Sequence, residues 1–176
     1  PNTLFMSVAS TGPIDESYQK VIDAAKENNY AVLLYIPYEN VGLSLSKDIT
    51  LWLKDFSPDW KSNYIINNND LAILISLMLQ KNWKGNISTL VALDGLGIKS
   101  DADISLLSDL VRFPVGSKIG TYDLSAENEL LKKHMADINI MGLPTDKSIQ
   151  DLLALVNLTR TSALFCIDSN SENALV

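Results

Sequence analysis

The sequence has one cysteine and one histidine, and this scarcity excludes several classes of chemistry. Cys166 has no second cysteine with which to form an internal disulfide, which suits a reducing compartment. His134 has no second histidine and no nearby cysteine to build a metal site, and no Gly-x-Ser-x-Gly motif of the serine hydrolases accompanies it. We therefore expect no catalytic residues, no cofactor-binding residues and no metal ligands.

Positive charge is also scarce, since 14 basic residues stand against 21 acidic ones and the net charge is -7. Nucleic acid and anionic lipid are bound through clustered lysine and arginine, so neither is an expected partner. The longest apolar run, 71–79 with one serine inside it, is far shorter than the ~20 residues that cross a bilayer. The sequence after Pro1 lacks the basic start and the long apolar run of a signal peptide. We interpret the sequence as a fragment of a larger protein.

What the sequence does have is the composition of a globular protein, with 47% hydrophobic and 20% charged residues over 176 positions. That is enough apolar side chain for one core of ordinary size, and too much for a disordered chain. No repeat and no biased linker divides the sequence. We predict a single domain over residues 1–176.

Seven short apolar runs alternate with helical patterns, and this alternation is typical of an α/β fold. Several runs are apolar at nearly every position, as in parallel strands that are covered by helices on both faces. The predicted fold class is therefore α/β, a doubly wound and mainly parallel sheet with helices on both faces. The predicted strands are 4–8, 31–36, 49–53, 87–93, 118–122, 138–143 and 163–167.

Five helices follow from the spacing of apolar residues and from end signals. Ser125 is the predicted N-cap of a short helix, with Asn128 as the partner in an imperfect capping box. The last turn of that helix, Lys132 to His134, places positive groups where the helix dipole favours them. The stretches 38–47 and 57–68 are predicted loops. The helices are 15–28, 69–82, 101–113, the short one around Leu130 and Leu131, and 148–158.

Two turns are candidates for phosphate binding. Residues 94–97, Asp-Gly-Leu-Gly, follow a predicted strand, which is where open parallel sheets bind ligands. They lack the third glycine of a dinucleotide fingerprint and the Gly-Lys-Ser/Thr of a P-loop, so a plain turn is the favoured interpretation. The turn 10–12, Ser-Thr-Gly, follows the first predicted strand.

The three tryptophans have different predicted environments. Trp52 lies inside an apolar strand and is predicted to be core. Trp60 stands between Asp59 and Lys61 in a polar loop, where a partly exposed indole is a candidate interface residue. Loop tryptophans also simply anchor their loops, and this second interpretation is favoured for Trp60. Trp83, at the end of the apolar helix, is a weaker candidate for an interface.

Two acidic pairs, Asp15 with Glu16 and Asp101 with Asp103, have the spacing of carboxylates used in acid–base chemistry. Each pair stands where a helix begins, and negative charge there offsets the helix dipole. We therefore interpret both pairs as structural.

Four parts of the sequence, in order, resemble one family of transport proteins. The longest is 128–144, Asn-Glu-Leu-Leu-Lys-Lys-His-Met-Ala-Asp-Ile-Asn-Ile-Met-Gly-Leu-Pro. The others are the Pro-Asn-Thr-Leu start at 1–4, the strand, helix and Lys-x-Trp-Lys turn in 49–55, 69–75 and 81–87, and the final strand and tail in 161–168 and 172–175. Together they resemble the second half of the cytosolic C-terminal domain of cation-chloride cotransporters, which move chloride with sodium or potassium.

The resemblance implies a fold similar to universal stress proteins and a role in regulation and dimerisation, without chemistry of its own. The expected partners are the membrane-embedded transport domain of the same chain and a second copy in a homodimer, at the cytoplasmic face of the membrane. The sequence lacks the long charged insertion that animal members have before Asn128, so phosphorylation control there is not implied. The transported ions are not implied either, because the membrane part sets them.

Three alternatives stay open, and the first is a broader amino-acid or organic-cation permease with a similar tail. A nucleotide-binding module of the universal stress type would use 94–97 or 10–12. Such modules resemble Gly-x-x-Gly, a spacer and then Gly-Ser/Thr, whereas 141–145 of this sequence keeps only Gly142. An unrecognised hydrolase would need Cys166 and His134 to be adjacent in space.

Overall fold

Strands and helices alternate along the chain in the computed structural model, which describes residues 3–9, 17–39, 47–56, 60–63, 68–93, 98–114, 117–134, 136–143 and 147–169. A 3₁₀ turn, Leu124–Ala126, precedes α5. The elements in chain order are β1 (Thr3–Ser7), α1 (Ser17–Glu27), β2 (Ala31–Ile36), β3 (Asp48–Leu53), α2 (Trp60–Asn63), α3 (Asn68–Trp83), β4 (Asn86–Leu93), α4 (Asp101–Val111), β5 (Lys118–Asp123), α5 (Glu127–Lys133), β6 (Ile138–Gly142), α6 (Ile149–Thr159) and β7 (Ser162–Ile167).

The strands form one sheet in the order β1-β2-β7-β6-β3-β4-β5. The five strands from β7 to β5 are parallel, with Leu51 of β3 opposite Ile140 of β6 and Thr89 of β4. β1 and β2 are parallel to each other, but β2 runs antiparallel to β7. The predicted mainly parallel α/β sheet is confirmed, with a reversal of direction at β2.

Helices lie on both faces of the sheet, and each face has its own core. On one face Ile22 of α1, Leu131 of α5 and Val156 of α6 join the inward side chains of the strands. On the other face α3 and α4 pack against a second set of strand residues. Because strand side chains alternate between faces, neighbours such as Phe165 and Cys166 belong to opposite cores.

The short helix α5 begins differently from the prediction. Ser125 lies within the 3₁₀ turn, and its backbone N–H donates to Asp123 Oδ1 at 2.8 Å. Ala126 is the N-cap of α5 and makes no side-chain capping bond, so the predicted Ser125 cap with its Asn128 box is wrong. The carboxylate at the end of β5 starts the turn two residues earlier than the hydroxyl could. α6, by contrast, has a full capping box between Ser148 and Asp151.

The predicted loop 57–68 contains a helix, because 60–63 form α2 and α3 begins at Asn68. Most of the predicted loop 38–47 lies outside the described residues. α3 has 16 residues and contains the longest apolar run of the sequence, 71–79, which only Ser76 interrupts. In the part of the chain that the structure describes, no helix has both the length and the apolarity that crossing a membrane requires.

Candidate functional site

The sheet has one topological switch point, between β3 and β6. From β3 the chain moves to β4 and β5 on one side, and it returns to β6 on the other side. Ligands of open parallel sheets bind in the crevice outside the carboxyl ends of such neighbouring strands. The crevice here lies beyond Leu53 and Gly142, and it is the candidate site that the topology provides.

Two asparagines at the start of α3 fill this crevice. Asn68 Nδ2 donates to Leu143 O at 2.6 Å, and Asn68 Oδ1 accepts the N–H of Asp168 at 2.9 Å. Asn69 Nδ2 donates to Lys54 O at 2.7 Å. The residues that follow β3, β6 and β7 are therefore all bonded to the first turn of one helix.

The contact between α3 and β6 leaves no room for a further group. A Cβ added to Gly142 would lie 3.0 Å from Asn68 Cβ and 3.1 Å from its carbonyl carbon. Asp70, which is 3% exposed, places an acidic side chain in the first turn of α3. A carboxylate there opposes the binding of phosphate at this helix N-terminus. The described part of the crevice is thus a packed joint.

The candidate phosphate turns 94–97 and 10–12 lie outside the described residues. Of the glycine motif considered at 141–145, Met141, Gly142 and Leu143 are described, and they belong to the joint with Asn68. The prediction that no cofactor binds therefore stays a prediction.

His134 ends α5 and faces β3. Its backbone N–H donates to Leu130 O at 2.8 Å, and its Nε2 lies 2.9 Å from Thr50 Oγ1. The ring meets Trp52 edge to face, with centroids 5.9 Å apart. Burial lowers the pKa of His134, so the imidazole is neutral at neutral pH. The predicted role of a positive group at the end of α5 therefore applies to Lys132 and Lys133 and not to His134.

Trp52 is the centre of the cluster that His134 joins. Its indole is 1% exposed, Nε1 donates to Asn139 Oδ1 at 2.9 Å, and Tyr122 packs edge to face at 5.6 Å between centroids. Burial raises the pKa of the Tyr122 hydroxyl, whose oxygen has no hydrogen-bond partner among the described residues. The predicted core role of Trp52 agrees with this packing.

Cys166 and His134 lie on opposite faces of the sheet. Cys166 is fully buried in the core beneath α3, whereas Trp52 and the His134 ring belong to the other face. Burial raises the pKa of the Cys166 thiol, which disfavours the nucleophilic thiolate. The two groups that a hydrolase would need adjacent are separated by the sheet.

Trp60 and Asp103 are both buried. Trp60 is 0% exposed and packs against Phe56 at 5.7 Å between centroids, so the indole anchors this segment to the core and the interpretation as a partly exposed interface residue is wrong. Trp60 is the first residue of α2, and its indole belongs to the core beneath α3. Lys61, on the next position, forms an ion pair with Asp103, and this bond lowers the pKa of the Asp103 carboxyl.

Asp101 and Asp103 do not form a shared carboxylate site. Asp103 is occupied by Lys61 and by the N–H of Lys99 at 2.8 Å, while Asp101 is exposed. Asp15 and Glu16 lie outside the described residues. The described residues also contain no group of three or more His, Cys, Asp or Glu side chains that could hold a metal ion.

A groove of about 360 Å³ lies between α5 and α6. Met141 and Phe165 form part of its apolar lining, and Lys54 pairs with Glu127 at 2.8 Å beside it. The start of α6 faces this groove, but the Ser148 capping box already provides hydrogen-bond partners in the first turn of that helix. Opposite charges that neutralise each other make the groove a poor site for a polyphosphate.

We expect His134 to make stability depend on pH in a defined window. Because the folded-state pKa is below the unfolded value of 6.5, the stabilisation is complete above about pH 6.5 and is lost as the pH falls toward the folded pKa. The chain has one histidine, so proton NMR can follow its imidazole alone. The free-energy difference between wild type and His134→Gln in urea unfolding should shrink from pH 7.5 to pH 5.5, and a folded-state pKa at or above 6.5 would contradict this.

A family model described as prokaryotic cation-chloride cotransporter, C-terminal domain, 2nd, matches residues 45–175. The match leaves β1, α1 and β2 outside it. Among solved structures, the chain is similar to the cytoplasmic domain of a prokaryotic cation chloride cotransporter, with 25% identity and a TM-score of 0.79. The alignment covers 99% of this chain and 67% of that one.

Two other solved structures share the fold. One is a functionally unknown protein from Pseudomonas aeruginosa PAO1, with 10% identity, a TM-score of 0.54, and 96% of this chain and 64% of that chain covered. The other is a universal stress protein from Archaeoglobus fulgidus DSM 4304, with 15% identity, a TM-score of 0.50, and 97% and 62% covered. A search of curated proteins found no match.

Proposed function

Because the chain belongs to the family of prokaryotic cation-chloride cotransporter C-terminal domains, we propose that it regulates and dimerises such a transporter without catalytic chemistry of its own. Family membership makes it a cytoplasmic domain of a cation-chloride cotransporter. Its first partner is then the membrane-embedded transport domain of the same polypeptide, which carries the ions. Its second partner is another copy of itself.

The packed switch point is the observation that most supports a role without a nucleotide. A nucleotide-binding sheet of this topology keeps the crevice between β3 and β6 open, because the phosphates lie at the helix N-terminus there. In this chain Asn68 and Asn69 bond the strand ends to α3, and Asp70 adds an acidic group at the same place. The site where the rival function needs a ligand is thus used for joining secondary structure elements.

The alternative function, a nucleotide-binding module of the universal stress type, is tested by calorimetry. We expect no measurable heat when ATP is titrated into the folded chain, which corresponds to a dissociation constant weaker than ~1 mM. Micromolar binding would favour the alternative, and the turns 94–97 and 10–12 would then be the first places for substitutions.

The regulatory role is tested on the parent transporter in liposomes, by comparing chloride-dependent cation uptake with and without this domain. Since the ions pass through the membrane part, removal of the domain should change the uptake rate and leave the ion dependence unchanged. An altered ion dependence, or an unchanged rate at equal amounts of inserted transporter, would contradict the proposal.

A further inference from the structure

A polar cavity of about 430 Å³ lies at the edge of the sheet where β3, β4 and β5 begin. This edge is opposite the crevice at the switch point, which lies beyond the carboxyl ends of the strands. Polar side chains from the three strands line the cavity, together with His134 at the end of α5. Its volume is within the range of small-molecule sites in proteins.

The pairing of the strands places the polar side chains of the cavity in two rows. Thr50 of β3, Ser88 of β4 and Lys118 of β5 lie opposite one another in the first row. Asp48 and Asn86 lie opposite each other in the second row, two residues nearer to the start of their strands. Because every second residue of a strand is on the same face, all five side chains lie on the side of the sheet that carries α5.

The cavity contains two opposite charges that do not pair with each other. Asp48 and Lys118 belong to the strands on either side of β4, so their backbones are about 10 Å apart across the sheet. Neither side chain has an ion-pair partner among the residues that the structure describes. In the groove between α5 and α6, by contrast, Lys54 and Glu127 neutralise each other. Both charges of the cavity are therefore available to a ligand.

The surroundings of Lys118 suit a carboxylate. Ser88 lies directly opposite Lys118 on β4. Ser117, the preceding residue in the chain, lines the same cavity, and its buried hydroxyl oxygen has no hydrogen-bond partner in the described part of the chain. A buried hydroxyl without a partner costs free energy, and a carboxylate oxygen would accept its hydrogen bond.

The surroundings of Asp48 suit an ammonium group. One oxygen of its carboxylate, Oδ1, accepts a hydrogen bond from Asn86 Nδ2 at 2.9 Å. Helices α3, α4 and α5 all end at this edge of the sheet, and residues that follow each of them line the cavity. The negative ends of helix dipoles favour positive charge. Lys47 already donates from its ammonium group to Trp83 O, at the end of α3, at 2.9 Å.

We propose that the cavity binds a small zwitterion, a molecule with one carboxylate and one ammonium group, such as a free amino acid. The carboxylate lies at Lys118 and Ser117, and the ammonium group lies at Asp48. A ligand with only a negative charge leaves Asp48 unpaired, and a ligand with only a positive charge leaves Lys118 unpaired, so both are disfavoured. Such binding goes beyond the proposed regulatory function and does not depend on it.

The single histidine supplies a signal from the cavity itself. Proton NMR of the whole chain at neutral pH follows the His134 imidazole while 5-aminopentanoate is added. We expect a saturable shift with a dissociation constant of about 1 mM or below, and at least about tenfold weaker binding of pentanoate and of pentylammonium, which each lack one charge. Absence of a saturable shift up to ~20 mM, or equally tight binding of either control, would overturn the proposal.

Variants test the two charges separately. Lys118→Gln and Asp48→Asn each remove one charge, and asparagine keeps the oxygen that Asn86 bonds. We expect each to raise the dissociation constant of 5-aminopentanoate at least about tenfold. Lys20→Gln is the matched control, because Lys20 is exposed on α1 outside the cavity, and it should leave the constant within about twofold. Binding that only one cavity variant weakens would indicate a site for a single charge, and binding that neither weakens would place the ligand elsewhere; both results would overturn the proposal.

Discussion

Replacement of Trp60 by alanine is expected to lower the free energy of unfolding by about 3–5 kcal/mol. The indole is fully buried, packs against Phe56, and joins the four-residue helix α2 to the core beneath α3. Loss of the indole leaves a cavity. A helix as short as α2 cannot fill this cavity by moving as a unit. Urea unfolding followed by far-UV circular dichroism measures the change.

Trp83→Ala is the matched control for this prediction. Trp83 ends α3 and is only partly buried, so the same truncation should cost less than half as much. Equal costs at the two positions would show that the burial of Trp60 does not decide its role. A Trp60 variant with unchanged stability and weaker dimerisation would restore the interface interpretation that the sequence suggested.

Asn68→Ala is expected to lower the free energy of unfolding by about 2–3 kcal/mol, the second largest effect. The substitution removes the amide that bonds Leu143 O and the Asp168 N–H, so an acceptor and a donor at the ends of β6 and β7 lose their partner together. The measurement is again urea unfolding.

Asn82→Ala removes the same side chain from the other end of α3 and serves as the control. Asn82 is exposed, and its Nδ2 donates to Met78 O at 2.8 Å within the helix. Water replaces such a bond easily, so we expect a change within about 0.5 kcal/mol. If Asn68→Ala costs no more than this control, the joint between α3 and the strand ends contributes little to stability.

The strands and most helices could be predicted because their signals are local. Most strands are runs of mainly apolar residues bounded by turn residues, and α6 begins at a serine with an acidic residue three positions later. The wrong predictions depend on which of two neighbouring residues caps a helical turn, or on packing between residues that are distant in sequence. Asp123 takes the capping role from Ser125, and the polar sequence around Trp60 conceals a turn of helix that buries it.

The roles of Asn68 and Asn69 could not be predicted, because their partners are distant in sequence. Asn68 bonds residues 75 and 100 positions away, and the asparagine run suggested only a turn. The reversal of direction between β2 and β7 has the same cause, since an apolar run does not show which way its neighbour runs. Composition led us to expect no catalytic residues, while contacts between residues distant in sequence pack the described part of the switch point.

The position of β7 has a consequence for synthesis. Of the seven described strands, β7 is the last to be synthesised, yet it lies in the middle of the sheet, between β2 and β6, and every residue of it is buried. Until it has emerged, the nascent chain holds two separate sheets, one of β1 and β2 and one of β6, β3, β4 and β5, each with an unpaired apolar edge. Strand edges of this kind aggregate, so the interval before β7 appears is when a growing chain depends most on chaperones.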